Sequence, residues 1–433
     1  MNCKVVAIVP AKSESNRVKN KNTRIIGGEE LYLKCLRKLK EIDLIDEVYV
    51  DTDSFEMAEK AHIQLGVKSL IRDKSYSDNS TDGHELFLQA AKKIEADIYV
   101  QVLCTAPFLK KETIIDAIKI VMSGESSSAI AVSESKGYFW NKKEPSYGRG
   151  RIPNSVDLPA NIYESMSLYV IEKNDFFKTK LRFGSTPSFV YVDKIESIDI
   201  DYIEDLELAD NILKGICCKE ANYFNSVKSV LTTPMLSDTA EDLGIDIVLP
   251  HKFISNIPNK LMGRAKTVLV EDIKDKSEWK NIYNGLKIYD YVNTGDVIFI
   301  NNQVPEYAFF GSLNTALSIR SGASGTIVNG STRDSESTTL MNYPVYSKSF
   351  SCKDVRKKAT INNINVTTYV EDIPVCVGDI VFADKDGICV LPKNNYLDII
   401  VESLNRYKNE NDILINIVNG KDYTSILSDN GYF

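Results

Sequence analysis

The sequence predicts an α/β chain of two domains: a mostly parallel sheet with helices on both faces, followed by a second α/β domain richer in strands. Three observations carry this. Short apolar runs at 5–9, 48–50, 98–103 and 129–132 alternate with helical periods at 28–42, 55–65, 82–96 and 112–122, the rhythm of strand–helix–strand units. Past residue 260 that rhythm gives way to β-branched residues, short strands and glycine turns. A length of 433 residues itself favours two domains. The change of composition places the boundary near 215–222, giving domains 1–215 and 222–433.

The elements follow in order. Residues 5–9, VVAIV, read as a buried strand that ends at Pro10. In 28–42 the apolar side is Leu31, Leu33, Leu36 and Leu39. The strand at 48–50 ends in Asp51-Thr52-Asp53, and a helix follows at 55–65. The helix at 82–96 is capped at Thr81 or Asp82. The strand at 98–103 runs into Cys104-Thr105-Ala106-Pro107-Phe108. Residues 136–159 break the rhythm with glycines and four basic residues, Lys142, Lys143, Arg149 and Arg151, and fit a substrate loop and a solvated connection about equally. Strands at 167–171 and 189–192, a helix at 203–213 opening with Glu204-Asp205, and a helical stretch at 222–243 come next. Segments 395–407 and 411–418 read as terminal helices.

Composition excludes several classes. A net charge of -8 argues against general nucleic-acid binding. No apolar run approaches ~20 residues, so no membrane span is expected. The N-terminus enters a strand with no signal-peptide pattern, and the 8 cysteines form no CxxC pair, so the expected location is cytoplasmic. The 3 histidines, His62, His84 and His251, leave little material for a His-based metal or Ser-His mechanism. Carboxylates must do any metal work.

Residues 4–22, KVVAIVPAKSESNRVKNKN, are a strand opening into a small loop that carries Lys12, Arg17, Lys19 and Lys21. Such loops hold phosphates at the carboxyl edge of a sheet, with backbone N–H and ammonium groups converging on the oxygens. Spacing alone leaves a basic surface turn slightly ahead, since neither GxxxxGK(S/T) nor GxGxxG is present. Asp199 and Asp201 stand at period two, which puts both carboxylates on one face of a strand end. They suit Mg²⁺, a hard ion that takes few protein ligands, or they cap the next helix, a role that suits Asp205.

The loop resembles the nucleotide loop of the CMP-sialic acid and CMP-Kdo synthetases, P-A-R-G-G-S-K-R-I-P-x-K-N. Pro10, Ala11, Ser15, Arg17, Lys21 and Asn22 fit in register, Lys12 stands for the arginine, and Ser13 and Glu14 stand for the two glycines. Residues 48–53, VYVDTD, resemble the family's second strand and its S-T-D turn. Thr105-Ala106-Pro107-Phe108 resembles T-S-P-(L/F), preceded by Gln101. Asp157-Leu158-Pro159 with Glu164 and Tyr169 resembles D-L-P and Y-x-E-N-G-x-x-Y. Residues 198–209, IDIDYIEDLELA, resemble I-D-I-D-x-x-x-D-L-E-L-A. The resemblance covers about 1–215 and implies a Rossmann-like nucleotidyltransferase sheet that transfers CMP from CTP to a sialic- or Kdo-type acid sugar, releasing pyrophosphate. It implies that Lys12, Arg17 and Lys21 hold the triphosphate catalytically. Pro10, Ala11, Ser15, Asn22, Asp53, Thr105 and Pro107 bind nucleotide; Gln101, Asp157, Glu164 and Tyr169 bind the acid sugar; Asp199 and Asp201 hold Mg²⁺.

In the second domain, residues 310–334, FGSLNTALSIRSGASGTIVNGSTRD, put glycines at 322, 325 and 330 around a strand at 326–328 that delivers Arg333-Asp334. The two side chains either pair on the surface or split roles, Arg on a carboxylate and Asp on a metal. The stretch resembles the RraA-like family, which includes 4-hydroxy-4-methyl-2-oxoglutarate aldolase: G-(E/D)-x-x-x-x-A-x-x-x-G-x-x-G-x-V-x-D-G-x-x-R-D. Ser312 replaces the acid and Asn329 the aspartate before Gly330. The resemblance covers about 222–405. It implies an RraA-like α/β domain in which Arg333 binds a 2-oxo acid, Asp334 holds a divalent Mg²⁺ or Mn²⁺, and Gly311, Ser312, Leu313 and Asn314 complete the pocket. It also implies a homo-oligomer, a trimer or hexamer. The family's non-catalytic members make an oligomerisation or binding module the alternative.

Together these readings describe a cytoplasmic fusion for surface-glycan synthesis. Its partners are CTP and a small acid sugar, with no nucleic acid and no membrane. Sialic- and Kdo-type sugars are 2-oxo-3-deoxy acids, the skeleton a metal-dependent pyruvate aldolase makes or cleaves, so the second domain is expected to act on the sugar class that the first activates. A non-sugar acceptor for the first domain is the other alternative.

Overall fold

The computed structural model describes residues 3–73, 76, 82–250 and 252–430. Thr81 and His251 lie outside them. The chain forms two compact units, residues 1–212 and 213–433.

The first unit is built on a seven-stranded sheet. Its strands are β1 (Val5–Pro10), β2 (Glu47–Thr52), β3 (Lys68–Ile71), β4 (Ile98–Val102), β5 (Ser128–Ser135), β6 (Asn161–Glu172) and β7 (Pro187–Val192). The order is β7-β5-β6-β4-β1-β2-β3. All neighbours are parallel except β6, which runs antiparallel to both β4 and β5. Along β1, Val5, Ala7 and Val9 pack into one apolar cluster and Val6 and Ile8 into another. This two-sided burial is why the strand reads as a continuous apolar run rather than an alternation. Helices α1 (Leu31–Lys40), α2 (Phe55–Leu65) and α4 (Lys111–Met122) cover the first face. Helices α3 (Gly83–Ala91) and α5 (Lys173–Thr179) supply Phe87 and Phe176 to the second. The chain runs outward from β1 to β2 and β3, then returns to place β4 on the other side. The switch point therefore lies between β1 and β4, where ligands bind in open α/β sheets.

The helix at the end of the first unit does not stop at Leu213: α6 runs from Ile203 to Val227. Gly215 lies inside it at a cost of only about 1 kcal/mol, which burial of Leu213, Ala221 and Phe224 on the same helix outweighs. The stretch expected as one helix at 222–243 is accordingly split. It breaks before Thr232, which caps α7 (Thr233–Asp242) with Pro234 in the first turn. The helix expected at 82–96 ends at Ala91.

The second unit holds a nine-stranded mixed sheet. Its main strands are β8 (Leu261–Asp272), β9 (Val297–Asn302), β10 (Ala308–Phe310), β11 (Gly325–Thr332), β12 (Val345–Phe350), β13 (Ile380–Ala383) and β14 (Ile388–Leu391). The central path β12-β11-β9-β8 is parallel, and β13 and β14 join it antiparallel. Helix α8 (Ser312–Ser321) connects β10 to β11. The two terminal helices expected at 395–407 and 411–418 are a single α9 (Tyr396–Val418). All eight cysteines are free thiols, with Cys35, Cys104 and Cys389 buried. Among the described residues no helix is long and apolar enough to cross a membrane.

Candidate functional site

The loop after β1 is shaped before it meets any ligand. Ala11 N–H donates to the Asp51 carbonyl at 2.9 Å. Ser13 donates its N–H and its hydroxyl to Asp53, at 2.7 and 3.1 Å. Asn22 is buried and donates to the Lys12 carbonyl at 2.8 Å, while its own oxygen accepts from the Cys104 thiol at 3.3 Å. Asn22 and Asp53 thus spend hydrogen-bonding capacity on the loop's geometry. Ser13, which stands where the matched motif has glycine, fastens the loop to Asp53 just past β2.

The loop's cations meet the carboxylates that follow β7. Arg17 Nη2 lies 2.7 Å from Asp201 Oδ1, and Lys21 Nζ lies 3.6 Å from the same oxygen. Lys21 also donates to the Ile200 carbonyl at 2.6 Å. Ile200 N–H donates to the Thr105 carbonyl at 2.9 Å, which brings the turn after β4 to the same place. Asp205 accepts from the N–H groups of Asp201 and Tyr202 and so caps α6. Asp199 does no capping. Burial, and secondarily the neighbouring Asp201, raises its carboxyl above the usual range against the opposing bond from Thr105. Its Oδ1 is enclosed with no hydrogen-bond partner.

That orphaned oxygen tests the fit of Mg²⁺. A buried carboxylate oxygen without a donor is costly unless a cation meets it, and Asp199 with Asp201 offers the hard oxygens that Mg²⁺ takes. Among the described residues no three His, Cys, Asp or Glu side chains gather, so water and phosphate would complete the shell. The residues fit the ion.

Among the residues expected to bind the acid sugar, Tyr169 donates to Glu164 at 2.6 Å, and Gln101 stands opposite Tyr169 in the β4–β6 pairing. The β5–β6 register shifts between Glu164 and Tyr169, and Met166 takes φ 52° there, at the position where the matched motif has glycine. Asp157 stands apart: its side chain accepts from Asn154 at 3.3 Å, and among the described residues no hydrogen bond links it to Glu164 or Tyr169. Two residues carried no sequence signal. Lys38 donates to the carbonyls of Pro107 and Leu109 and so ties α1 to the Thr105–Pro107 turn. Burial pushes it down to about 8. In the sequence it is one cation among Lys34, Arg37 and Lys40 on an amphipathic helix. Arg182 follows a short helix in K-L-R-F-G with no periodic context.

The second site is a groove of about 460 Å³ lined by Gly311, Ser312, Leu313, Arg333, Asp334 and Asp354, among others. Gly311 is required by close approach: a Cβ there would come within 2.6 Å of Asp334 Oδ2. Ser312, the first residue of α8, donates its N–H and hydroxyl to Asp334 Oδ2, both at 3.1 Å. Arg333 Nε lies 3.9 Å from that oxygen, so these contacts all fall on Oδ2 and Oδ1 is the oxygen left for a metal. A single carboxylate oxygen fits Mg²⁺ where water and ligand oxygens complete the shell. Arg333 is paired through Nη1 with Asp354, which no motif match indicated. Asn314 is anchored to the Phe309 carbonyl at 2.8 Å, and Leu313 is exposed. Asn329 donates to Asn301, which donates to Thr368 and the Tyr369 carbonyl, a neutral amide chain where an aspartate would be a buried charge.

Residues 6–137 match the family profile described as Cytidylyltransferase, and residues 233–390 match Aldolase/RraA. The chain carries a cytidylyltransferase domain followed by an RraA-like domain. It is 24% identical over 236 residues to an N-acylneuraminate cytidylyltransferase of Escherichia coli, covering 49% of this chain and 52% of that protein. The chain therefore spans about half the length of that relative. It is also 24% identical over 225 residues to a pseudaminic acid cytidylyltransferase of Campylobacter jejuni, covering 49% of this chain and 97% of that one. A solved RraA-family protein of Streptomyces coelicolor is 20% identical with a TM-score of 0.37, covering 42% of this chain and 90% of its own.

Proposed function

We propose that the cytidylyltransferase domain transfers CMP from CTP to a sialic- or Kdo-type acid sugar with release of pyrophosphate. The observation that carries this is the meeting of Arg17 and Lys21 with Asp201 beside the unpartnered Asp199 oxygen. Phosphoryl-group transfer of this kind depends on positioning and charge neutralisation. Lys12, Arg17 and Lys21 hold the triphosphate, with Lys12 contributing a point charge rather than a bidentate fork. Asp199 and Asp201 would hold Mg²⁺, which supplies charge neutralisation at the α-phosphate when bound. The Thr105–Pro107 turn, pinned by Lys38, lies against the nucleotide, and Gln101, Glu164 and Tyr169 receive the acceptor. Relatives named for N-acylneuraminate and pseudaminic acid support the acid-sugar class. Pyrophosphate release with each of the four NTPs against a panel of 2-keto-3-deoxy acids tests this. CTP should be preferred and Asp201→Asn should abolish turnover; near-normal turnover of that variant at low Mg²⁺ would refute the metal assignment.

For the RraA-like domain the reading is pyruvate-releasing cleavage, or the reverse condensation, of the same 2-oxo-3-deoxy skeleton, in an oligomer. Arg333 binds the carboxylate, and Asp334 Oδ1 would hold a divalent ion that polarises the 2-oxo group. One observation favours a second reading: Asp354 already occupies Arg333, as it would in a domain that only assembles or binds. Pyruvate release followed through lactate dehydrogenase, lost in Asp334→Ala, supports chemistry. Its absence in the wild type, with oligomer size unchanged in the variant, supports the second reading.

A further inference from the structure

The acceptor side of the first domain's site needs a positive charge that its motif residues do not supply. Gln101, Glu164 and Tyr169 bring an amide, a carboxylate and a phenol. An acid sugar that surrenders water from its carboxylate requires a counter-charge there. Arg182 is placed to provide it. Its guanidinium lies 3.9 Å from the Tyr169 ring centroid. Its side chain is only 11% exposed, and its Nε is enclosed with no hydrogen-bond partner. Its Nη2 makes only weak contacts, 4.0 Å from Glu164 and 3.4 Å from the Met166 sulfur, while Glu164 accepts the short bond from Tyr169. The guanidinium also sits against the first residue of α3, where a Cβ on Gly83 would come within 2.7 Å of Nη1.

Two orphaned atoms belong to residues that flank one tyrosine. Among the described residues of the first unit, the enclosed side-chain polar atoms without a partner are Gln101 Oε1, Arg182 Nε and Asp199 Oδ1. Gln101 faces Tyr169 across the strand pair, and Arg182 stacks on its ring. Buried donors and acceptors are normally satisfied, so an acceptor and a donor left unmet around one side chain mark where a polar ligand belongs.

We propose that Arg182 binds the carboxylate of the acid sugar, held over Tyr169, and selects acid over neutral acceptors. The assignment rests on the acid-sugar reading of the first domain. It divides the cations of the site: Lys12, Arg17 and Lys21 serve the nucleotide, and Arg182 serves the acceptor.

The test uses the full chain with Arg182→Met and Arg182→Lys. Pyrophosphate release is measured with CTP, Mg²⁺, N-acetylneuraminate and Kdo, and with the C1 carboxamide of each acid that the wild type accepts. Arg182→Met should raise KM for the acid about 10- to 100-fold, leave KM for CTP within about twofold, and erase the preference for acid over amide. Arg182→Lys should restore part of that preference. Unchanged acid KM and unchanged acid-over-amide preference in Arg182→Met overturn the assignment alone. A parallel collapse of CTP KM and melting temperature in both variants also overturns it, in favour of a structural role. Failure of the wild type to turn over either acid overturns the acid-sugar reading, and the assignment with it.

Discussion

Replacing Asp199 by asparagine separates a functional carboxylate from a structural one. Burial raises the Asp199 carboxyl, and its Oδ1 has no partner. The sign follows from linkage. The folded chain holds this proton more tightly than the unfolded chain, so stability falls as pH rises from the unfolded value through the raised one. At neutral pH the ionised group is a burden on the fold when no cation is bound. An enclosed unsatisfied polar oxygen costs about 1–3 kcal/mol. The amide keeps the shape and part of the polarity, so the variant should recover about 1 kcal/mol, or about 2–4 °C in melting temperature. It should also lose the rise in melting temperature that Mg²⁺ with CTP gives the wild type, and lose at least about 100-fold in turnover. Thermal unfolding with and without Mg²⁺ and CTP, paired with pyrophosphate release, measures all three. A metal-free variant less stable than the wild type, or one with an unshifted Mg²⁺ dependence, would refute the reasoning.

The remaining predictions concern single contacts. Lys38 is depressed to about 8, so its buried charge weighs on the fold below that pH and is relieved between about 8 and 10.5. The wild type should gain stability relative to Lys38→Met across that window; a flat difference would refute the buried-charge account. Asp354→Asn keeps the side-chain oxygen that accepts from Arg356 N–H but releases Arg333. Because the pair is partly exposed and so worth about 1 kcal/mol or less, oxalate should bind about two- to fivefold more tightly by calorimetry, and weaker binding would sink the idea. Met166 at φ 52° is an unfavourable residue for a left-handed turn. Met166→Gly should raise the melting temperature by about 1–3 °C, since relief of about 1 kcal/mol of strain is partly offset by the freer unfolded chain.

The sequence by itself determined what lies within short windows. The continuous apolar run of β1 reports burial on both faces, and the alternation of runs and periods gives the order of strands and helices. The string from Ile198 to Ala209 marks the acidic segment ahead of α6, although it is a loop and not the strand end expected for Asp199 and Asp201, and the glycines around 311–330 mark the second groove. These features are local, because side-chain period and turn chemistry are written in neighbouring residues. Tertiary structure alone decided the rest. It inserted β6 antiparallel in a parallel sheet, and it carried α6 through Gly215 because packing outweighed propensity. It brought Arg17 and Lys21 to Asp201, put Asp354 on Arg333, and enclosed Arg182 over Tyr169. A charged residue in a sequence reads as solvated surface. Only the packing of distant segments shows which arginine has lost its water.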